Sequence, residues 1–558
     1  MSRLAAVREL LPGRADYDLR LPVLRADLLA GVTVGVVALP LALAFGISSG
    51  AGAAAGLVTA VVAGIVAAVF GGSPVQVSGP TGAMAVVLAP IVAAHGTASV
   101  ALVSILGGVV VLAAGAARLG RLVGYLPWPV VEGFTLGIAC IIFLQQIPAA
   151  VGTTAPPGRN PLLGAVSAVA NAGGAVGWTV ATVAVVAVIM LALPKLHRGI
   201  PASLVAVIVV TVAAEVAHAP VPRIGTLPGS LSPTLPHFDL GVAHDLAGAV
   251  VAVAALAAIE SLLSARVAAT MTRGGPPVGP TRPDRELVGQ GLASIAVGLF
   301  GGMPATGAIA RTAVNVRSGA RTRLASVVHA LVILAVIYAA TGLVSRIPLS
   351  ALAGVLLVTS LRMVPLATIR EVVRASRSSA ATFAVTALVT VAADLILAVE
   401  IGLLAAAFFA LRHLARAARA GRDPLPGPAA DGDEHIAVLR FEGAVFWGAS
   451  ERIMTELAAA ADDVLVVILR FSRLHLLDAT GAKALGETIG ELEARGVTVL
   501  LKGIQAHHKH LLTTTGALRT GSRLFTSLDD AVAEARARVS AASARPPRAD
   551  LANSAADV

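Results

Sequence analysis

Only one cysteine, Cys140, occurs in 558 residues, so no internal disulfide can staple the fold. Aromatic side chains amount to 3% and charged ones to 13%. Soluble globular domains carry about 25% charged residues, which excludes a wholly soluble protein. The signatures HExxH, the P-loop and GxSxG are absent, and the twelve histidines are scattered apart from HHKH at 507–510; neither an enzyme nor a cofactor is expected. What is abundant instead is Ala, Val, Leu and 56 glycines, within a chain that is 56% hydrophobic. Small residues of this kind let helices approach closely in lipid. The net charge of +10 would suit nucleic acid, yet the arginines sit between apolar runs and not in one patch, so no nucleic-acid partner is expected.

Residues 1–26 are polar, and the apolar run after them is too long for a cleavable signal. Apolar segments lie near 28–48, 51–70, 80–94, 98–117, 128–148, 175–193, 199–217, 247–266, 286–301, 305–316, 324–344, 350–362, 379–394 and 396–412. They make about fourteen spans, judged against ~20 residues per crossing. With the N-terminus in the cytoplasm, the inside connections hold Arg3, Arg8, Arg14, Arg20, Arg25, Arg118, Arg121, Lys195, Arg198 and the clusters at 266–285, 317–323, 362–377 and 412–422. The outside loops hold only Arg159, Arg223 and Arg346. This asymmetry obeys the positive-inside rule and predicts a multi-pass protein of the cell membrane with both termini cytoplasmic.

Two spans are broken, at residues 78–83 (SGPTGA) and 301–312 (GGMPATGAIART). As a helix, residues 305–316 would rise only about 18 Å against a ~30 Å hydrocarbon core. A helix start leaves about four N–H groups unpaired and carries roughly half a positive charge. Two broken helices facing each other therefore predict an anion site in the middle of the membrane. The breaks follow spans that begin near 28 and 247 at similar offsets, and an odd number of spans per unit makes the two units inverted.

Several side chains suit such a site. Thr81 and Thr306 place hydroxyls beside the helix starts, either as N-caps or as ligand contacts. Arg311, about 7.5 Å beyond Thr306 along a helix, would attract a dianion or neutralise Glu260. Phe45 would wall the site or simply pack. Glu260 lies in the apolar run AALAAIESLLSARVAA, where a carboxylate is costly and thus a functional candidate. Ser264 follows one turn later on the same face. Together they would bind Na⁺, or Glu260 alone would take up H⁺; the bland alternative is a structural Glu260–Arg311 pair. Glu132, near a cytoplasmic helix start, reads as structural, and Asp394 is given no role.

After Arg422 the composition changes. Residues 423–434 (DPLPGPAADGDE) read as a linker. Strands are expected at 435–441, 464–471 and 497–502, with helices at 481–495, 505–516 and 527–539, a small α/β domain. The expected division is 1–26, 27–420, 421–434, 435–540, and a disordered tail at 541–558.

The stretches SGPTGA, IESLLSA, PDRELVGQGLA (283–293) and GGMPATGAIARTAVNVRSGARTRLA resemble the SulP anion transporters, the sulfate permease family, over nearly the whole chain. LDATGAKALGE resembles the STAS domain of those proteins, a relative of anti-sigma-factor antagonists. The resemblance implies a polytopic all-α membrane domain of two inverted seven-span repeats, divided into core and gate. It also implies a cytoplasmic α/β STAS domain, a homodimer, and a protein partner for the STAS domain. Family substrates include sulfate, bicarbonate, chloride and dicarboxylates, moved by proton or sodium symport or by exchange. By position, Phe45, Thr81, Ala305, Thr306 and Arg311 match the family's anion site, and Glu260 with Ser264 its coupling-ion position; a sodium ion would sit among Glu260, Ser264 and Thr306. Leu41 replaces the polar residue many members carry after the first-span proline, and Glu260 replaces the Asp of the sodium–bicarbonate members. Ala479 and Thr480 occupy the loop where antagonists carry a phosphorylatable serine. The expectation is an elevator-like, proton-coupled secondary transporter of small inorganic anions, sulfate favoured. Sodium-dependent bicarbonate transport is the alternative within the class, and a membrane-anchored STAS regulator with little flux the alternative outside it.

Overall fold

The computed structural model describes residues 10–13, 16–125, 127–153, 160–173, 176–197, 200–225, 245–273, 278–364, 366–393, 395–461, 464–518 and 522–543. Arg3, Arg8, Arg14, Arg159, Arg198, Asp394 and the tail beyond 543 lie outside the described residues. The chain divides into two compact units, Met1–Leu404 and Ala405–Val558.

The first unit is helical. Its elements are α1 (Leu21–Ser48), α2 (Ala53–Phe70), β1 (Ser78–Gly79), α3 (Gly82–His95), α4 (Ala98–Ala116), α5 (Trp128–Ala150), α6 (Pro161–Ala170), α7 (Val176–Leu196) and α8 (Ala202–Val216). They continue as α9 (Ala247–Met271), α10 (Pro283–Leu299), β2 (Thr306–Gly307), α11 (Ile309–Arg317), α12 (Leu324–Val344), α13 (Leu349–Met363), α14 (Leu366–Ala375) and α15 (Arg377–Ala392). Helix α16 (Leu395–Ala417) then carries the chain into the second unit. Among the described residues, eight helices are long and apolar enough to cross a membrane. Every expected span has its helix, and α6 and α14 are additional short ones.

Glycine sets the closeness of the packing. A Cβ on Gly56 of α2 would fall 2.0 Å from the Ala42 carbonyl oxygen of α1, and one on Gly291 of α10 would fall 2.5 Å from the Leu112 nitrogen of α4. Backbones this near replace the bulky knobs of a soluble core and gain dispersion contacts where lipid offers no hydrophobic drive.

Both broken segments are interrupted as expected, but they meet as strands. Ser78–Gly79 pairs antiparallel with Thr306–Gly307, the sense that an inversion between the two halves requires. The pairing satisfies backbone groups that no water would otherwise serve. Pro80 then ends the first strand and Thr81 caps α3, accepting from the Met84 amide at 3.4 Å. In the second break Gly301, at φ +71°, closes α10, the chain runs on through Pro304 into β2, and α11 starts only at Ile309. The expectation that Thr306 stands at a helix start is thus corrected: it lies in β2, and the residue capping α11 is Ala308.

The second unit contains β3 (Arg419–Asp423), β4 (Ile436–Val445), α17 (Ser450–Ala460), β5 (Val466–Leu477), α18 (Ala479–Ala494), β6 (Thr498–Lys502), α19 (Ala506–Thr514), β7 (Arg523–Phe525) and α20 (Leu528–Ser543). The sheet order is β3-β4-β5-β6-β7, with β3 antiparallel to β4 and the rest parallel. Leu439, Phe441, Val467, Leu469 and Leu501 face α17, α18 and α19, whereas Val438, Ile468 and Leu500 face Ala531, Val532 and Ala535 of α20. The period-two alternation of β4 to β6 therefore feeds two apolar layers, one on each face of the sheet. Asp478 caps α18, its Oδ1 accepting from the Gly481 amide at 2.7 Å and its Oδ2 from the Trp447 amide at 3.1 Å. Asp478→Ala removes both bonds and should destabilise this unit by about 1–2 kcal/mol, read as a lower urea midpoint at unchanged m-value in denaturation followed by Trp447 fluorescence.

Candidate functional site

The paired breaks bring distant hydroxyls onto one carboxylate. Glu260, in the middle of α9, is partly buried, and its Oε2 accepts from Thr81 Oγ1 at 2.9 Å and from Thr306 Oγ1 at 2.7 Å. The two threonine hydroxyls are themselves 3.0 Å apart. Thr81, Thr306 and Ala305 are all buried. Phe45 of α1 stands beside the start of α3: a Cβ on Gly82 would lie 3.1 Å from its ring edge and 2.3 Å from Ile142 Cδ1, so both side chains close on this glycine.

Arg311, on the first turn of α11, is also buried. Its Nη2 donates to the Pro80 carbonyl, which ties α11 to the opposite break, while its Nη1 has no partner. Among the described residues no ion pair joins Arg311 to Glu260, so the structural pair set out as the bland reading does not form. A guanidinium with spare donors and a carboxylate already holding two hydroxyls lie near each other without touching. The arrangement has an anion-attracting pole and a cation-attracting pole.

Ser264 lies one turn beyond Glu260 on α9, as expected. It is fully buried and its Oγ pairs with Thr312 Oγ1 of α11 at 3.2 Å, not with Glu260. The helix that carries Thr312 packs against α9 there and supplies this partner. A cation at Glu260 would thus find Thr81 and Thr306 beside it, with Ser264 engaged elsewhere.

Sequence reasoning missed the layer behind the breaks. The Gly307 amide donates to Ser261 Oγ at 3.0 Å, and the Val77 amide donates to Thr312 Oγ1 at 3.1 Å. Asn315 Nδ2 reaches the Val75 carbonyl at 2.8 Å, and Ser326 Oγ the Gln76 carbonyl at 2.6 Å. Glu286 of α10 is buried and accepts four bonds: from the Gly72 and Ser73 amides at 2.7 and 2.9 Å, and from Gln76 Nε2 and Gln290 Nε2 at 2.8 and 2.9 Å. Gln290 also donates to Ser78 Oγ of β1. A charge at the edge of an apolar run reads as an interface anchor, and only the tertiary structure turns it inward. Glu286→Ala strands these donors and should cost about 3 kcal/mol or more, read as a lower melting temperature and a lower monodisperse yield of the detergent-solubilised protein.

Similarity to known proteins extends over most of the chain. The sulfate permease family profile matches residues 24–386, and the STAS domain profile matches residues 427–531. YvdB of Bacillus subtilis (strain 168) is 33% identical over 505 residues, covering 89% of this chain and 94% of that one. The bicarbonate transporter BicA of Synechocystis sp. is 30% identical over 478 residues, covering 80% of this chain and 82% of that one. Among solved structures, the transmembrane domain of a cyanobacterial BicA is 31% identical, covers 70% of this chain and 99% of its own, and has a TM-score of 0.62. The structure of SLC26A9, at 18% identity, shares the fold over 97% of this chain and 94% of its own with a TM-score of 0.81. Fold and relatives together define a multi-pass membrane transporter of anions, not an enzyme, joined to an α/β module. The chain belongs to the sulfate permease family and carries a STAS domain.

Proposed function

We propose that this chain is a proton-coupled secondary transporter of small inorganic anions, sulfate first among them, that works by elevator-like alternating access. The observation that carries the reading is the convergence of Thr81 and Thr306 on Glu260 Oε2, with the spare Nη1 of Arg311 close by. Arg311 attracts the oxyanion, and the start of α3 adds its dipole. A proton on Glu260 Oε2 competes with the threonine hydroxyls that now donate to it. The displaced hydroxyl becomes a donor for the anion, so proton and anion each favour the other's binding, as linkage demands. Phe45, Ala305 and Gly82 shape the apolar wall. The homodimer, the cytoplasmic placement of both termini in the cell membrane, the domain limits and a protein partner for the STAS domain are carried by the family resemblance and the arginine distribution, and belong to the same proposal.

Sodium-dependent bicarbonate uptake is the second reading, favoured by the 30% identity to a bicarbonate transporter. Glu260, Thr81 and Thr306 offer the oxygen ligands a hard cation needs. Proteoliposome uptake of labelled sulfate, bicarbonate and succinate, with and without sodium, separates the two. Sulfate uptake driven by an inward proton gradient and indifferent to sodium is expected. Uptake of bicarbonate only, and only with sodium, would replace the first reading with the second. No flux of any anion, alongside a tight STAS-domain partner, would favour a regulator.

A further inference from the structure

A second basic site lies at the end of the first unit where α1 and α12 begin. A cavity of about 210 Å³ is lined by Asp16, Asp18, Arg20, Arg282, Arg321 and Arg323, among others. Water takes roughly 30 Å³ per molecule in the liquid, so the space admits a tetrahedral oxyanion with several waters.

Both carboxylates of the lining are already paired. Arg20 holds Asp18 in a two-pronged pair, which brings the Asp18 carboxyl down to about 2. Asp16 accepts from Arg285 Nη1 at 3.0 Å; burial works against its charge, but the Gly13 amide, Arg285 and Arg323 outweigh that and keep its carboxyl below the ordinary value. Arg323 shares Asp16 with Arg285, its Nη2 lying 3.7 Å from Oδ1, which leaves Arg282 and Arg321 without a carboxylate partner among the described residues. Arg323 is 3% exposed, its Nη1 donates to the Ala68 and Gly71 carbonyls, and its Nε has no partner. Arg282 and Arg321 have no side-chain hydrogen bond or ion pair among the described residues.

The segments that present these groups are pinned. The Arg282 amide donates to the Gly72 carbonyl at 3.0 Å. The Arg321 and Thr322 amides donate to Asp27 Oδ1 at 2.7 and 3.1 Å. This backbone is held before any ligand arrives, which spares the ordering cost of binding. Next to the cavity, Leu19 and Leu21 are 68% and 60% exposed, an apolar rim beside a basic hollow.

We propose that this cavity binds a phosphate group through Arg282, Arg321 and Arg323, separately from the transported anion, and so fastens the N-terminal segment to the 279–282 and 321–323 loops. Planar guanidinium forks suit phosphate oxygens, and the charge balance calls for an anion. The phosphate can be a lipid headgroup or free phosphate. None of the lining residues belongs to the site at Glu260 and Arg311, so this inference stands or falls apart from the transport reading.

The test is hydrogen–deuterium exchange on the full chain. Inorganic phosphate is added to detergent-solubilised protein in one arm; in the other, nanodiscs of phosphatidylglycerol are compared with nanodiscs of phosphatidylcholine. The expected result is slower exchange confined to residues 16–25, 278–284 and 320–325, lost in the double variant R282Q/R321Q and partly retained in R282K/R321K. Protection by phosphate alone identifies the free anion, and protection by phosphatidylglycerol alone the headgroup; either supports the site. No protection in either arm, or equal protection in R282Q/R321Q, overturns it. Exchange at 309–317 reports phosphate in the transport site and keeps the two apart.

Discussion

Replacing Glu260 by Gln should reduce proton-gradient-driven anion uptake to the level of empty liposomes while leaving the fold intact. The amide is isosteric, so the hydroxyls of Thr81 and Thr306 keep an oxygen to donate to. What is lost is the titratable charge. An intramembrane carboxylate is retained against a cost of a few kcal/mol only where it serves transport or pairing, and the pairing alternative with Arg311 does not form in this structure. Uptake into proteoliposomes under an imposed pH gradient reads the effect, and counterflow of labelled against unlabelled anion controls for folding. Full gradient-driven uptake in E260Q would remove Glu260 from coupling.

The second large effect is expected at Arg311. Arg311→Ala should weaken anion binding about 100-fold, or about 2.8 kcal/mol at about 1.4 kcal/mol per decade. Deleting one partner of a buried charge-assisted contact commonly costs 2–5 kcal/mol. The substitution also frees the Pro80 carbonyl, which Arg311 Nη2 now serves. Arg311→Lys retains the charge but not the fork, and should recover part of the affinity. Equilibrium binding of labelled sulfate to the purified protein separates affinity from yield. Wild-type affinity in R311A would place the anion elsewhere.

The spans were legible because an apolar run of about twenty residues has few fates other than a membrane helix. The breaks at 78–83 and 301–312 were legible for a related reason, since glycine and proline inside such runs must be served by something other than lipid. What serves them was not legible. The sequence pattern suggested two helix starts, yet Thr306 and Gly307 extend and pair with Gly79 and Ser78 because each break offers the other its free backbone groups. Helices α6 and α14 escaped because each is only ten residues long, and α14 carries Arg370 and Arg374, which read as loop anchors. Strands β3 and β7 escaped because RAGRD and RLF are short and gain their order from β4 and β6 alone. In the site, Glu260, Thr81 and Arg311 announced themselves by residue type at depth. Ser261, Thr312 and Gln290 did not, because a small hydroxyl or an amide near an apolar helix is commonplace until the backbone it serves is placed. Helix periodicity puts Ser264 on the face of Glu260, but the neighbour packed there, Thr312, is fixed only by the tertiary structure.

In the transport cycle we propose, the anion rests between the two breaks, against the start of α3 and the unpartnered guanidinium Nη1 of Arg311. Diffraction from the protein soaked with selenate, a sulfate isostere with an anomalous scatterer, tests this most directly. A selenium peak within hydrogen-bonding reach of Arg311 Nη1 and the Thr81 or Thr306 hydroxyl is the predicted result. A peak elsewhere in the first unit, with the region between the breaks empty, would contradict it.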